Sequence, residues 1–173
     1  MARLQRISPC LWFDTKAEEA ARYYTGIFKN SSIKATTRYS SAGQETHKKP
    51  PGSVMTVQFE LDGQEFTALN GGPDFKFNEA ISLEVRCESQ EEIDHYWERL
   101  GAGGDPAAQI CGWLKDKFGV SWHIIPNEVY KLYEDSESPG ARAAMEAMMK
   151  MKKIDIAALQ EAYDNAEAAG VKH

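Results

Sequence analysis

Two stretches of this chain are written to one plan. Residues 7–28, ISPCLWFDTKAEEAARYYTGIF, run from a strand-like segment (Ile7 to Phe13) through Thr15-x-x-Glu18 into a helical pattern. Residues 81–101, ISLEVRCESQEEIDHYWERLG, run from Ile81–Cys87 through Ser89-x-x-Glu92 into a second helix ending at Gly101. A Ser or Thr three positions before a Glu is a capping box: the hydroxyl accepts the third helical N–H and the Glu reaches back. Apolar residues then recur at helical spacing, Ala20, Tyr23, Tyr24 and Ile27 in one case, Ile93, Tyr96, Trp97 and Leu100 in the other. A strand feeding a capped helix, used twice, implies an internal duplication of a mixed unit.

Strands follow each helix. After the first come Ile33–Tyr39, Val54–Leu61 and Gln64–Asn70, the last two joined by the hairpin signal Asp62-Gly63. After the second come Gln109–Lys115 and Val120–Pro126, joined around Asp116-Lys117-Phe118-Gly119, while GAGGDPAAQ holds a short or degraded strand. The chain therefore reads as an α+β protein of tandem βαβββ modules over residues 1–72 and 73–128, with a helical extension over 129–173. In that tail Ser138-Pro139 opens a helix running through Met151, with Met145, Met148 and Met149 on one side as packing on the sheet or across a dimer interface. Asp155 caps a second helix striped by Ile156, Leu159 and Tyr163. Residues 40–53 are loop chemistry and a candidate cover for a site.

Composition narrows the function. A net charge of -6 lacks the basic footprint that nucleic acid requires. No apolar run approaches the roughly 18 residues of a membrane span, so a cytoplasmic protein is expected. Cys10, Cys87 and Cys111 are odd in number, lack CxxC spacing and read as buried small hydrophobes in strands. Asp94-His95 reads as solvated, as do the lysines at 150, 152 and 153.

Alternation along the strands sorts side chains between two faces. Ile7, Leu11 and Phe13, Ile81, Leu83 and Val85, and Trp122 and Ile124 point to the helices. The other face then carries Ser8, Cys10, Trp12, Gln58, Glu60, Glu84, Arg86, Ser121 and His123. Such a lining of aromatic and ionisable groups suits a ligand pocket. His123, paired with Glu84 or Glu60, has the chemistry of an acid/base or a substrate anchor; a metal ligand and a satisfied strand residue are the other roles open to it. Trp12 can stack on a planar ligand, and Ser8, Cys10, Gln58, Glu60, Arg86 and Ser121 complete the candidate ligand contacts.

The tandem pattern, with SPCLWFD, GSVMTVQFELDGQEFTALNGGP, CGWLKDKFGVSWHIIP and MMKMKKIDIAALQEAY, resembles the PhnB-like family of the vicinal oxygen chelate (glyoxalase/bleomycin-resistance) superfamily across nearly the whole chain. The resemblance implies paired modules forming a cupped mixed sheet, usually a homodimer, around a small-molecule site. Members are often labelled 3-demethylubiquinone-9 3-methyltransferase. A methyl donor of the S-adenosylmethionine type binds at a glycine-rich turn leaving a parallel strand, whereas Gly101-Ala102-Gly103-Gly104 follows a helix and runs into Pro106. Metal-using members draw ligands from the first and last strands of each module. Those positions here offer Ile7 or Ser8, Ala68 or Asn70, Ala80, Ile81 or Ser82, and His123, of which only His123 is a good transition-metal ligand. No cofactor and no assigned metal ligand are expected, and the functions in view are a metal-independent or weakly metal-dependent small-molecule enzyme, a ligand-sequestering resistance-type module and a chiefly structural protein.

Overall fold

A computed structural model describes residues 5–170. The chain packs as two units, Met1–Phe77 and Asn78–His173. The first holds β1 (Cys10–Phe13), α1 (Ala17–Thr25), β2 (Ser32–Arg38), the single turn α2 (Gln44–His47), β3 (Val54–Leu61) and β4 (Gln64–Asn70). Its sheet runs in the order β1-β4-β3-β2, with β1 parallel to β4 and the other pairs antiparallel. This is the expected βαβββ unit. Asp62 and Gly63, at φ 45° and 79°, turn β3 into β4 with the paired positive φ of a type I′ hairpin.

Alternation decides the core of this unit. Leu11, Phe13, Val57, Phe59, Leu61, Phe66 and Ala68 are buried, as are Ala17, Ala20, Ala21 and Tyr24 on α1. Three small residues on the helix face let its backbone approach the sheet, and Tyr24 stacks on Phe59 with ring centroids 6.3 Å apart. A leucine at Ala20 would overpack that contact, at about 1–3 kcal/mol.

Two expectations fail here. The first strand begins at Cys10, and Ile7 is 87% exposed; Pro9, just before it, has no N–H to give a ladder. The first capping box does not form. Lys16 is the N-cap and its side chain makes no cap bond, so Thr15 lies one residue too early. Asn70 at the end of β4 caps α1 instead, its Oδ1 accepting Ala17 N at 2.8 Å, while Glu18 pairs with Arg22.

The second unit holds β5 (Leu83–Cys87), α3 (Gln90–Gly101), a 3-10 turn (Pro106–Ala108), β6 (Trp113–Lys115), β7 (Ser121–Pro126), α4 (Glu128–Leu132), α5 (Pro139–Met148) and α6 (Ile156–Gly170). The sheet order is β5-β7-β6, with β5 parallel to β7 and β6 antiparallel to it. Here the hydroxyl half of the capping box forms, Ser89 Oγ accepting Glu92 N at 3.3 Å, while Glu92 Oε2 reaches one residue past the N-cap to accept Glu88 N at 2.8 Å. Ile81 precedes β5 and is 78% exposed rather than helix-facing.

The expected strand Gln109–Lys115 is cut to three residues because the chain doubles back inside it. Ile110 and Trp113 exchange both backbone hydrogen bonds, with Cys111 and Gly112 at φ 49° and 84° between them. That is a hairpin turn with a cysteine in the left-handed region, where Asn or Asp is usual. Cys111 is therefore half-buried in a turn and Cys10 is exposed; only Cys87 is the buried hydrophobe expected, its thiol pushed up to about 12 by burial.

The tail belongs to the same unit. Met151 O and Lys152 O accept Cys111 N and Gly112 N, each at 2.8 Å. Gln90 reaches from α3 to Ile154 O at 3.1 Å and Ile156 N at 3.0 Å. Asp94 is not simply solvated: it pairs with Lys153 at 2.6 Å, which holds its carboxyl below the usual range. Ser138 caps α5 and Asp155 caps α6, as their residue types imply. α5 stops at Met148, short of Met151, and Met145 and Met149 remain exposed.

Candidate functional site

β7 is buried along its whole length. Trp122 and Ile124 point to the helical side, so Ser121 and His123 take the other face, 5% and 7% exposed. The register places Glu84 on one side of His123 and Trp113 on the other, and Lys115 beside Ser121. The Trp113 and His123 rings stack 3.6 Å apart at 3°. Trp113 Nε1 also donates to Ser82 Oγ at 3.2 Å, which holds the indole over the imidazole.

Glu84 organises the polar side of this row. Its Oε1 accepts Arg86 Nε at 2.8 Å and Tyr130 OH at 3.0 Å, and its Oε2 stands 3.7 Å from His123 Nδ1. The Arg86 guanidinium lies 5.4 Å from the centre of the Tyr130 ring. The hydrogen bond from Arg86 is the main reason the Glu84 carboxyl titrates below its ordinary value. Burial is the main influence on His123 and pushes its imidazole down; the Glu84 charge and the Cys111 backbone oppose this and do not overcome it. The pair at rest is a neutral imidazole beside a carboxylate.

Two atoms in this row have no hydrogen-bond partner: Ser121 Oγ and His123 Nε2. Both are shielded from solvent, and a buried polar atom left unpaired costs about 1–3 kcal/mol. Sequence alternation had placed Glu84, Arg86, Ser121 and His123 on one face, and the structure brings those four together. Trp113, Tyr130 and Asp116 went unremarked as partners. Asp116, 3% exposed, fixes the β6–β7 turn by accepting Phe118 N, Val120 N and Trp122 Nε1. Its position in the turn tetrapeptide was the available signal.

The five predicted positions in the first unit are distributed differently. Cys10 and Gln58 flank Thr67 in one cross-strand row, and both are exposed, as is Ser8. Glu60 pairs with Lys34 at 2.7 Å. Trp12 donates to Gly72 O at 2.9 Å and meets Phe75 edge-on, and a Cβ at Gly71 would fall inside its ring. Its indole is thus engaged by the segment that follows β4. A separate cleft of about 270 Å³ opens at the start of α1, where Lys49 and Ser53 of the expected cover loop face Thr15, Glu18 and Asn70.

The donor set does not suit a metal ion. Among the described residues no group of three or more His, Cys, Asp or Glu is placed to hold one, and a catalytic site takes about three protein ligands. The glycine run does not suit a nucleotide-type cofactor either. A Cβ on Gly104 would overlap the Lys115 carbonyl oxygen, so the loop is packed against its own hairpin. No helix among the described residues is long and apolar enough to cross a membrane.

The chain has solved relatives. The PhnB protein of Bacillus cereus is 36% identical over 70% of this chain and 99% of its own, with a TM-score of 0.60. Protein PA1353 of Pseudomonas aeruginosa is 18% identical over 72% and 100% of the two chains, with a TM-score of 0.52, which is a likeness of fold. A glyoxylase/bleomycin resistance protein/dioxygenase domain of Frankia sp. EAN1pec is 18% identical over 72% and 96%, with a TM-score of 0.43. No curated protein matches. The family model described as 3-demethylubiquinone-9 3-methyltransferase matches residues 5–125, from before β1 into β7. With both repeats inside that match, the chain belongs to this PhnB-like family of the vicinal oxygen chelate superfamily.

Proposed function

We propose that this protein binds a small molecule against the β5-β7-β6 sheet, with Ser121 and His123 as the contacts and Glu84 positioning the imidazole. The observation that carries the reading is the pair of unpartnered, buried polar atoms two residues apart on β7. A neutral histidine backed by a carboxylate is chemically a general base. Methyl transfer is disfavoured, because the glycine run is occupied by the protein's own backbone.

A non-catalytic, ligand-sequestering role is the second reading. It draws support from Glu84, whose carboxylate accepts from Arg86 and Tyr130 and stands beyond hydrogen-bond distance of His123. Exposed Met145 on α5 and Met149 just beyond its end suit a homodimer contact, and three unpaired cysteines suit the reducing cytoplasm.

The test is a small-molecule screen read by the imidazole nuclear magnetic resonance signals of His123, repeated on His123→Ala with circular dichroism as a check of folding. Ligands that move the His123 signals and lose affinity in the variant support the site. Turnover lost in the variant separates enzyme from sequestering module. A screen in which nothing moves those signals rejects the reading.

A further inference from the structure

His123 Nε2 is shielded from solvent, so a partner reaches it only after a neighbour moves. One such neighbour is held in place from outside the sheet. A Cβ built on Gly112 would stand 3.3 Å from His123 Cδ2 and 3.2 Å from Ile154 Cγ1. The Cys111–Gly112 turn therefore lies against the imidazole and against the C-terminal tail at once. Cδ2 is bonded to Nε2 within the ring, so the edge the turn covers is the edge that carries the unpartnered nitrogen.

The turn does not hold itself. Cys111 sits at φ 49°, a region that residues other than Gly, Asn and Asp rarely enter. The tail offsets that strain: Met151 O and Lys152 O accept Cys111 N and Gly112 N, each at 2.8 Å. The tail is moored in turn to α3, through Gln90 at Ile154 O and Ile156 N and through the Asp94–Lys153 pair. Without the two tail carbonyls, residues 109–115 read as one continuous strand. The ladder for that strand is already begun, since Gly112 O accepts Ile124 N at 2.8 Å in register with the Trp113–His123 pair. The same residues thus have two arrangements, and the tail selects one of them.

We propose that residues 151–154 are an arm that gates His123. Docked, the arm holds the Cys111–Gly112 turn over the Nε2 edge of the imidazole. Undocked, it lets residues 109–115 straighten and bares that edge. The coupling of tail to turn stands by itself; its use as a gate for a ligand rests on the reading of this face as a binding site.

Two substitutions in the full chain test this, with folding checked by circular dichroism. Gln90→Ala alters the mooring of the tail and not the turn. Cys111→Val alters only the side chain of the turn, and a β-branched residue resists the left-handed region. Coupling is reciprocal, so Gln90→Ala should speed hydrogen exchange of the Gly112 amide, and Cys111→Val that of the Ile156 amide, each about tenfold. Cys111→Asn, which suits the left-handed region, should slow both. Access to Nε2 is read separately with diethyl pyrocarbonate, which acylates exposed neutral imidazoles, using His47 of the first unit as the internal reference. His123 should react slowly in the parent and about tenfold faster in both loosened variants, at an unchanged His47 rate. Exchange at Gly112 unmoved by Gln90→Ala, or at Ile156 unmoved by Cys111→Val, would overturn the arm. Exchange that couples while the His123 reaction rate stays fixed would overturn the gate. A screen in which no compound moves the His123 signals rejects the ligand reading alone and leaves the arm to be judged by these rates.

Discussion

Asp116→Asn removes one charge and no volume, yet it should be among the more damaging single changes in the second unit. The two oxygens of Asp116 divide three hydrogen bonds. Oδ1 accepts Phe118 N at 2.8 Å and Val120 N at 3.0 Å, and Oδ2 accepts Trp122 Nε1 at 2.8 Å. Asparagine keeps one acceptor and replaces the other with a donor. If its oxygen stays on the two amides, the NH2 faces an indole N–H on a residue only 2% exposed. If it flips, the amides lose their acceptor. A bond to a charged acceptor contributes about 1.5–3 kcal/mol and an unpaired buried donor costs about 1–3 kcal/mol, so the expected loss is about 2–4 kcal/mol. Asp116→Ala leaves all three donors unpaired and should cost more. Urea unfolding followed by far-ultraviolet circular dichroism measures the loss, and an unchanged slope confirms that stability itself has moved. The decisive control is Trp122→Phe, which deletes the indole donor. In that background the Asn substitution should cost at least about 1 kcal/mol less, a coupling readable by a double-mutant cycle. An Asn variant within about 0.5 kcal/mol of the parent, or a cycle without coupling, would refute the reasoning.

Gln90→Ala removes the side chain that ties α3 to Ile154 O and Ile156 N; it should cost about 1–3 kcal/mol and expose α6 amides to hydrogen exchange ahead of the sheet. Unchanged α6 protection would count against the clamp. Gly104→Ala places a methyl group on the Lys115 carbonyl, and the backbone shift should lower the urea midpoint clearly, by about 1–3 kcal/mol. An unchanged midpoint would mean the loop yields without strain. Burial holds the folded pKa of His123 below its unfolded value of 6.5, so on acidification the unfolded chain takes up this proton first. The stability it contributes is complete above about pH 6.5 and is lost as pH falls toward the folded value. His123→Gln should flatten the stability–pH curve just below 6.5, while the Glu84 contribution, also from a lowered pKa, persists to lower pH; an unaltered slope there would refute a neutral buried imidazole.

The elements were legible where one local rule acted alone. Asp62-Gly63 makes its hairpin, Ser89 caps its helix with Glu92 close by, and Val57, Phe59 and Leu61 bury as alternation requires. Reading failed where a distant residue decided. Thr15-x-x-Glu18 has the spacing of a cap, but Asn70, 53 positions away, supplies the acceptor. Gln109–Lys115 looks continuous, but the tail accepts the N–H groups of Cys111 and Gly112 and stabilises a turn inside it. The face of the candidate site was readable because β5 and β7 have strict alternation; the use of each side chain was not. Trp12 and Glu60 stand at positions the alternation assigns to that face, yet each has a partner in its own unit.

The last strands of the two repeats carry their buried polar side chains on different terms. The last strand of the first repeat, β4, carries one buried polar side chain, Asn70, and both ends of its amide are engaged: Oδ1 accepts Ala17 N and Nδ2 donates to Val54 O at 3.1 Å. The last strand of the second repeat, β7, carries two, Ser121 and His123, each with an unengaged atom. Nothing in the architecture requires this difference, since both strands lie parallel to the first strand of their repeat and antiparallel to the hairpin partner. Valine at 121 and leucine at 123 would fill such a strand without an unpaired donor or acceptor, at a gain of about 1–3 kcal/mol for each atom. The two unpaired atoms of β7 are therefore a standing free-energy cost in the second repeat. A ligand that pairs these atoms, as the proposed site requires, would remove that cost on binding, so the same two residues that weaken the free protein would strengthen the complex.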